Sequence, residues 1–415
     1  MLKNYLKVAI KILLRRKFYT AISLFGIAFT LMVLLVVVSM ADHLFAPLPP
    51  EVKLGRTLQI SWIMAKKEEG ERKRLYQGSP GYALLDQCAR DIPGVENMSI
   101  FSDLGTATTF VNGEKVESRI RYTDGEYWEI LDFDFVEGGP FTADDERDGH
   151  FVAVINEATR KRIFGGAAAV GRLLSADGRQ YRVVGVVKNV AKTRLSAEGD
   201  LWVPLNTVPS QEFRNELMGD FSAILLAESK DEFPGIKAEY ESRLAHVDTE
   251  GMFDTIDGTA MTRFESAALT FGRGESGKPD VRQAVLVWAA MIAAFLFLPT
   301  INLISINVSR IYERSSEIGI RKAFGASSLH LVGQFIVENI FLCLIGGAVA
   351  LAAAAGVLGV IEKMDLVPYA DFTINFRVFL YALALAVFLG LLSGVFPAWR
   401  MSRLHPVRAL HGGVR

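Results

Sequence analysis

The 415-residue sequence has few residues of the kinds that build disulfide frameworks or metal sites. It contains two cysteines, Cys88 and Cys343, and we expect both to be unpaired thiols because Cys343 lies inside a long apolar run. The six histidines are scattered and show no metal-ligand spacing. We therefore predict that this chain binds no metal.

Catalytic signatures are also missing. The sequence has no nucleophile elbow, no zinc-protease helix motif and no kinase signature. Residues 272–278 match the first seven positions of a phosphate-binding loop, but Pro279 replaces the Ser or Thr that would bind Mg²⁺. No apolar strand leads into this loop either. We predict no catalytic residue and no cofactor bound by this chain.

The sequence is 50% hydrophobic with a mean hydropathy of +0.26, and four long apolar runs contribute to both values. A helix needs roughly 20 apolar residues to cross a bilayer core of about 30 Å. The runs predict four transmembrane helices, at 18–40, 284–308, 331–360 and 376–399. A cleaved secretory signal is the alternative for the first run, but a signal core usually has only about 7–15 residues. We therefore favour an uncleaved anchor.

Charge is distributed unevenly around these runs. Residues 1–17, 309–330 and 400–415 carry 14 basic and two acidic residues, a net charge of +12, whereas the rest of the chain carries −13. Segments rich in Lys and Arg stay on the cytoplasmic side of a membrane. We therefore predict a multi-pass inner-membrane protein with both termini and residues 309–330 in the cytoplasm. Residues 41–283 and a short loop, 361–375, would lie outside.

The extracytoplasmic domain, residues 41–283, shows a mixed α/β pattern. Asn112-Gly113 and Asp177-Gly178 predict hairpin turns, residues 66–77 predict an exposed polar excursion, and the size allows two lobes. Strand patterns occur at 57–63, 106–111, 117–122, 152–155, 181–187, 201–204 and 222–227, and helix patterns at 82–91, 157–164 and 232–244.

The N-terminal residues 1–17 carry Lys3, Lys7, Lys11 and Arg15 at intervals of four. This spacing predicts a basic amphipathic helix along the cytoplasmic headgroups of the lipid membrane. The alternative is a plain cytoplasmic extension of the first span.

Polar and small residues inside the spans suggest helix packing or function. Glu338 and Asn339 lie in the third span, where a carboxylate is costly to bury. A functional or helix-pairing role is one interpretation, and a glutamate near the interface that stays hydrated is the other. Gly390 and Gly394 form a Gly-xxx-Gly pair in the fourth span, which favours close helix approach.

The segment between the second and third predicted spans carries the most specific sequence motif. Glu317 and Arg321 stand four residues apart and Gly325 follows as a helix terminator, which predicts a short charged helix. Residues 317–327, Glu-Ile-Gly-Ile-Arg-Lys-Ala-Phe-Gly-Ala-Ser, closely resemble the signature of the MacB/FtsX-like ABC transporter permeases. Further stretches are similar to patterns of that family, in the same order: the N-terminal basic helix that runs into the first span, and residues 154–171, 181–187 and 396–410.

This resemblance implies a permease subunit without a fused ATPase domain. ATP and Mg would bind to a separate cytoplasmic ABC ATPase, which would contact Glu317, Ile318, Gly319, Arg321, Lys322, Phe324 and Gly325. The resemblance further implies a dimer with a second permease copy or paralogue, a membrane-fusion or outer-membrane partner as a further option, and no nucleic acid.

The resemblance implies mechanotransmission, in which ATP hydrolysis would move the extracytoplasmic domain to export or extract a peptide, an antibiotic or a lipoprotein. A regulatory or sensing membrane protein that controls a cell-wall hydrolase or a peptide response is the alternative.

Overall fold

The computed structural model describes residues 15, 17–69, 72–111, 113–269, 272, 278–294, 320, 324, 328–370, 372, 374–381, 383–385, 387, 388 and 391. The chain divides into two compact units. The first, which we call the large domain, comprises residues 44–287 together with 367–370. The second, the helical unit, comprises residues up to 43, residues 288–366 and residues from 371 onward.

The helices of the described residues range from single turns to spans long enough for a bilayer. They are α1 (Lys17–Phe45), α2 (Tyr82–Ala89), α3 (Tyr127–Ile130), α4 (Ala143–Arg147), α5 (Glu157–Phe164), α6 (Phe233–Ala245), α7 (Arg263–Ala268), α8 (Val281–Ala294), α9 (Ser328–Lys363) and α10 (Phe376–Leu385).

The described strands all belong to the large domain. They are β1 (Thr57–Ile60), β2 (Ile63–Glu69), β3 (Arg72–Gly78), β4 (Val95–Ser102), β5 (Gly105–Val111), β6 (Glu114–Thr123), β7 (Phe135–Gly138), β8 (Val152–Asn156), β9 (Leu173–Ala176), β10 (Arg179–Val187), β11 (Leu201–Pro204), β12 (Phe221–Ala227) and β13 (Thr255–Gly258).

Most of these strands form one mixed ten-stranded sheet in the order β1-β12-β4-β6-β11-β8-β10-β7, with β5 paired to β6 and β9 to β10. The β10–β8 and β11–β6 pairs are parallel and the other pairs of this sheet are antiparallel. A second, three-stranded sheet has the order β13-β2-β3. Central strands β8 and β12 are buried at every position, as expected for strands covered on both faces.

Apolar side chains on both faces of the large sheet form the core of the large domain. On one face α2 and α6 contribute Leu84, Leu85, Ile236 and Tyr240, all fully buried. Each buried aliphatic or aromatic side chain contributes roughly 1.5–3 kcal/mol to folding. Trp202 of β11 is fully buried in a second cluster, which is rich in aromatic residues.

The hairpin turns predicted from the sequence are confirmed. Gly113 joins β5 to β6 with φ of +86°, and Asp177 and Gly178 join β9 to β10 with φ of +50° and +76°. Such left-handed backbone suits Gly and Asp-Gly pairs in two-residue hairpins. The helix pattern at 157–164 coincides with α5, which begins after the Asn156 cap and ends at the left-handed Gly165.

Two sequence-based predictions for the large domain are wrong. Residues 66–77 are mostly exposed but are not an irregular excursion, because they lie in the antiparallel β2–β3 ribbon, which β13 extends. The strand predicted at 57–63 ends at Ile60, because the chain leaves the large sheet there and enters the small sheet at Ile63. The described domain is one compact unit that contains two sheets.

Helices α1, α9 and α10 pack against one another in the helical unit. Ile27 and Leu31 of α1 are buried with Leu342 and Ala350 of α9, and Leu383 of α10 packs against the same cluster. Polar contacts join the helix ends, where Asn375 Nδ2 donates to Asp42 Oδ2 at 3.2 Å and Phe372 N donates to Glu362 Oε1 at 2.8 Å.

Two helices of the described residues, Thr20–Phe45 and Ile336–Lys363, are long and apolar enough to cross a membrane. They coincide with the first and third predicted spans. The second predicted span, 284–308, is described only as far as Ala294, and the fourth, 376–399, only in part. The amphipathic helix predicted at 1–17 lies outside the described residues except for Arg15 and Lys17. The predicted count of four spans therefore stays a prediction.

Candidate functional site in the junction loop

A loop between β10 and β11, residues 188–199, is the part of the large domain on which several chain segments converge. We call it the junction loop. Residues 46–51, which follow α1, contact it, and so does α7, which precedes α8. Residues 367–370, which follow α9, also reach it, since Lys192 N donates to Pro368 O at 3.3 Å. Residues 46–51 directly follow α1 and residues 367–370 lie shortly after α9, whereas residues 269–280 separate α7 from α8.

Arg121 of β6 holds the junction loop through side-chain hydrogen bonds. Its guanidinium is buried and donates to the carbonyl oxygens of Glu198 at 3.0 Å, Leu195 at 3.0 Å and Ser102 at 3.1 Å, while it stacks over the Phe101 ring at 4.8 Å. Burial lowers the pKa of Arg121. Arginine stays charged nonetheless, and a buried charge is tolerated only when hydrogen bonds replace its hydration. Arg121 therefore holds the loop in one conformation.

Two further side chains hold the loop at its C-terminal half. Tyr127 Oη donates to Ser196 O at 2.8 Å, and Asn156 Nδ2 donates to Gly199 O at 3.2 Å. Tyr127 is fully buried in the aromatic cluster and Asn156 caps α5, so both donors come from rigid elements. The loop is irregular in backbone but firmly positioned.

Glu51, Arg194 and Arg263 form a buried ionic group, which we call the junction cluster. Each of the three residues is less than 10% exposed. Glu51 Oε2 accepts hydrogen bonds from Arg194 Nη1 at 3.3 Å and from Arg263 Nη2 at 3.0 Å. Arg194 Nη1 also donates to Ala46 O at 2.9 Å, and Arg263 Nη2 to Thr193 O at 2.8 Å. Residues far apart in sequence are thus joined by one carboxylate oxygen.

The electrostatics of the junction cluster are unbalanced, since two arginines share one glutamate. Burial lowers the pKa of Arg263; Glu51 opposes that change and Arg194 adds to it. Removing one member of a buried ion pair costs about 3–5 kcal/mol because the remaining charge is left uncompensated. The cavity beside the cluster has a volume of about 20 Å³. This is room for roughly one water molecule.

Local sequence explains how Arg263 is placed. Thr262 caps α7, because its hydroxyl accepts from Glu265 N and the Glu265 carboxylate accepts from Thr262 N, a complete capping box. Lys237 of α6 pairs with Glu265 at 2.6 Å. The start of α7 is therefore fixed at Thr262, and Arg263 becomes the first helical residue, directed at the junction loop.

The sequence-predicted coupling residues are mostly beyond the described part of the chain. Phe324 is described and is 88% exposed, and its N–H donates to Ile320 O at 3.1 Å, as in a helical turn. The others, Glu317, Ile318, Gly319, Arg321, Lys322 and Gly325, lie outside the described residues, as do Gly390 and Gly394. The structure therefore leaves this set as a prediction.

The polar residues of the predicted third span are described, and the apparent phosphate-binding loop is described in part. Glu338 is 2% exposed within the helical unit and Asn339 is half-buried. Lys278 Nζ forms an ion pair with Glu241 Oε2 at 2.6 Å, so its ammonium group faces a carboxylate. No group of three or more His, Cys, Asp or Glu residues within the described part of the chain is arranged to hold a metal.

Sequence reasoning missed the junction cluster and a close contact between α1 and α9. Glu51 is separated from Arg194 by 143 positions and from Arg263 by 212, and no local pattern links such residues. In contrast, Gly346 and Ala350 stand four residues apart in the third apolar run and contact α1, and this small-residue spacing was a readable signal.

Comparison with known proteins decides the family. Residues 20–242 match the family described as MacB-like periplasmic core domain, and residues 289–406 match the FtsX-like permease C-terminal family. The chain belongs to the MacB/FtsX-type ABC transporter permeases. Glu51 and Arg194 of this permease lie within the first matched region, whereas Arg263 lies between the two.

Individual relatives of the permease are distant in sequence. It is 24% identical over 353 residues to YvrN of Bacillus subtilis, an uncharacterized ABC transporter permease, with 83% of each chain covered. It is 25% identical to a probable export ATP-binding/permease protein MacB of Pseudomonas entomophila, covering 69% of this chain and 41% of that one. The chain thus spans less than half of that MacB protein. The crystal structure of the periplasmic region of MacB from Actinobacillus actinomycetemcomitans aligns with 54% of this chain and 97% of that chain at 14% identity and a TM-score of 0.38.

Proposed function

We propose that this permease converts ATP hydrolysis on a separate cytoplasmic ATPase into movement of its large domain, by mechanotransmission. Family membership supplies the transport role. The observation that carries the mechanical part is the junction loop, which binds residues 46–51, α7 and residues 367–370. Because residues 46–51 and 367–370 closely follow α1 and α9 in sequence, displacement of those helices would act on this one loop.

The proposed orientation follows from charge. Four spans with both termini in the cytoplasm of an inner-membrane protein place the segments with a net charge of +12 inside and the large domain outside. The match of residues 20–242 to a periplasmic core domain supports the same side for the large domain. Helices α1 and α9 would be the first and third spans.

The proposed contact with the ATPase is residues 309–330. Phe324 is exposed, as a docking side chain should be before its partner binds. Relatives that are named ATP-binding/permease proteins combine both activities, which supports an ATPase as the partner of this permease. ATP and Mg would bind to that subunit.

We further propose a dimer, with a second copy or a paralogue, and a membrane-fusion or outer-membrane partner. The cargo class is a peptide, an antibiotic or a lipoprotein that is exported or extracted. Support for these proposals comes from membership of the family, to which relatives named macrolide export proteins also belong.

Substitution of Gly319 tests the proposal. A tryptophan at this position would block docking of residues 309–330 sterically. We expect Gly319→Trp to leave the amount of membrane protein unchanged and to abolish either ATPase association on co-purification or the coupling of hydrolysis to function. Gly319→Ala, which adds one methyl group, is the control and should retain both. Unchanged association and activity of Gly319→Trp would overturn the proposed coupling.

A further inference from the structure

We infer that Glu51 is a positioning residue that ties the start of the large domain, the junction loop and α7 into one rigid body, so that nucleotide-driven movement depends on it. This inference rests on the function proposed above. It identifies three buried side chains of the large domain on which the proposed movement depends: Glu51, Arg194 and Arg263.

The contacts of the junction cluster form a closed triangle of three chain segments. Arg194 of the junction loop binds the first segment at Glu51 and at the Ala46 carbonyl. Arg263 of α7 binds that segment at Glu51 and the loop at the Thr193 carbonyl. Glu51 takes part in two of the three connections and is the only acid in the cluster. Because each of the three segments is bound to the other two, we expect them to move together.

The charges explain why we expect substitution of Glu51 to disrupt the junction cluster. With glutamine at this position the two buried arginines lose the carboxylate that they share and repel each other, so the contacts between the loop and α7 are expected to weaken. With methionine in place of Arg263, Glu51 and Arg194 remain as a balanced pair. This second change releases α7 from both Glu51 and the loop without leaving an excess buried charge. Glu51→Gln and Arg263→Met therefore disrupt different contacts of the triangle.

A matched control lies elsewhere in the same domain. Arg160 of α5 forms a partly buried ion pair with Glu137 of β7, and neither residue contacts the junction cluster. Glu137→Gln removes one charge by the same chemical change as Glu51→Gln. It should weaken the domain without opening the triangle.

The experiment measures the distance between spin labels at Phe110→Cys in the large domain and Met364→Cys in the helical unit. Both positions are exposed, at 69% and 65%, and the native thiols of Cys88 and Cys343 are buried. The full permease, co-purified with its ATPase, is compared without nucleotide and with a non-hydrolysable ATP analogue. Thermal stability and ATP hydrolysis are recorded for every variant.

We expect a nucleotide-dependent distance change in the parent protein and in Glu137→Gln. Glu51→Gln and Arg263→Met should lose the change while ATP hydrolysis continues, and Arg263→Lys should retain part of it. A full distance change in Arg263→Met would overturn the role of the cluster and leave the proposed function intact. A second result would also overturn the role of the cluster: a distance change that decreases in proportion to thermal stability in every variant, including Glu137→Gln. No change in the parent protein would defeat the proposed function itself.

Discussion

Gly346 of α9 lies directly against Ile27 of α1. A Cβ atom at position 346 would lie 2.6 Å from Ile27 Cγ2, closer than carbon atoms can approach. The next residue, Gly347, has the same relationship to Leu383 of α10, with a separation of 2.6 Å to Leu383 Cδ1. The two glycines therefore set the spacing of α9 against both neighbours in the helical unit.

Substitution of Gly346 by leucine should loosen this packing. Overpacking of a closely fitted contact costs about 1–3 kcal/mol. We expect Gly346→Leu to lower the melting temperature of the detergent-purified chain. Gly356→Leu is the matched control, since a Cβ there meets nothing within 4 Å. Equal melting temperatures for the two variants would show that α1 and α9 do not pack at Gly346.

Asp124 should make the stability of the large domain depend on pH. Its carboxylate is buried and accepts hydrogen bonds from Ser99 Oγ at 2.6 Å, Ile100 N at 2.6 Å and Tyr127 N at 3.1 Å. Burial raises the pKa of Asp124 from 3.8 to about 7, and the hydrogen bonds oppose that rise. The folded state therefore binds a proton more tightly than the unfolded chain does.

The sign of the effect follows from proton linkage. Between pH 4 and 7 the folded state holds more protons, so stability falls as pH rises through this window and then becomes constant. The contribution of one group has a maximum slope of about 1.4 kcal/mol per pH unit. Denaturant unfolding followed by tryptophan fluorescence, with Trp202 buried nearby, measures this slope. Asp124→Asn should flatten it, and an unchanged slope in that variant would assign the effect to another group.

Exposed positions allow a direct test of topology. An impermeant maleimide should label Phe110→Cys in intact spheroplasts and should label Phe324→Cys only after permeabilisation, because we place these residues on opposite sides of the membrane. Both side chains are exposed. Native Cys88 should not react with the maleimide, because burial raises its thiol pKa to about 11 and the residue is only 2% exposed. Labelling of Phe324→Cys in intact spheroplasts would reverse the proposed orientation.

Local patterns predicted much of the fold because they report local physics. The hairpins at Gly113 and Gly178 followed from turn chemistry, and α5 coincides with the helix pattern predicted at 157–164. Strand β4 was missed because polar residues such as Glu96 and Asn97 precede its apolar run and obscure the strand pattern. The β2–β3 ribbon was misjudged because its charged side chains resemble those of a loop.

The junction cluster could not be predicted from local sequence. Its members are brought together by the strand order of the large sheet and by the return of the chain through α7, and neither is encoded near Glu51. The coupling segment shows the opposite case. Its identification came from the resemblance of residues 317–327 to a family signature, and the FtsX-like match over 289–406 supports the family but not the role of each residue.

The distance between labels at positions 110 and 364 tests the central claim most directly. In the permease bound to its ATPase, we predict that addition of an ATP analogue shifts this distance in the parent protein and not in Gly319→Trp. A distance distribution that is the same with and without nucleotide, in a complex that hydrolyses ATP, would contradict the account.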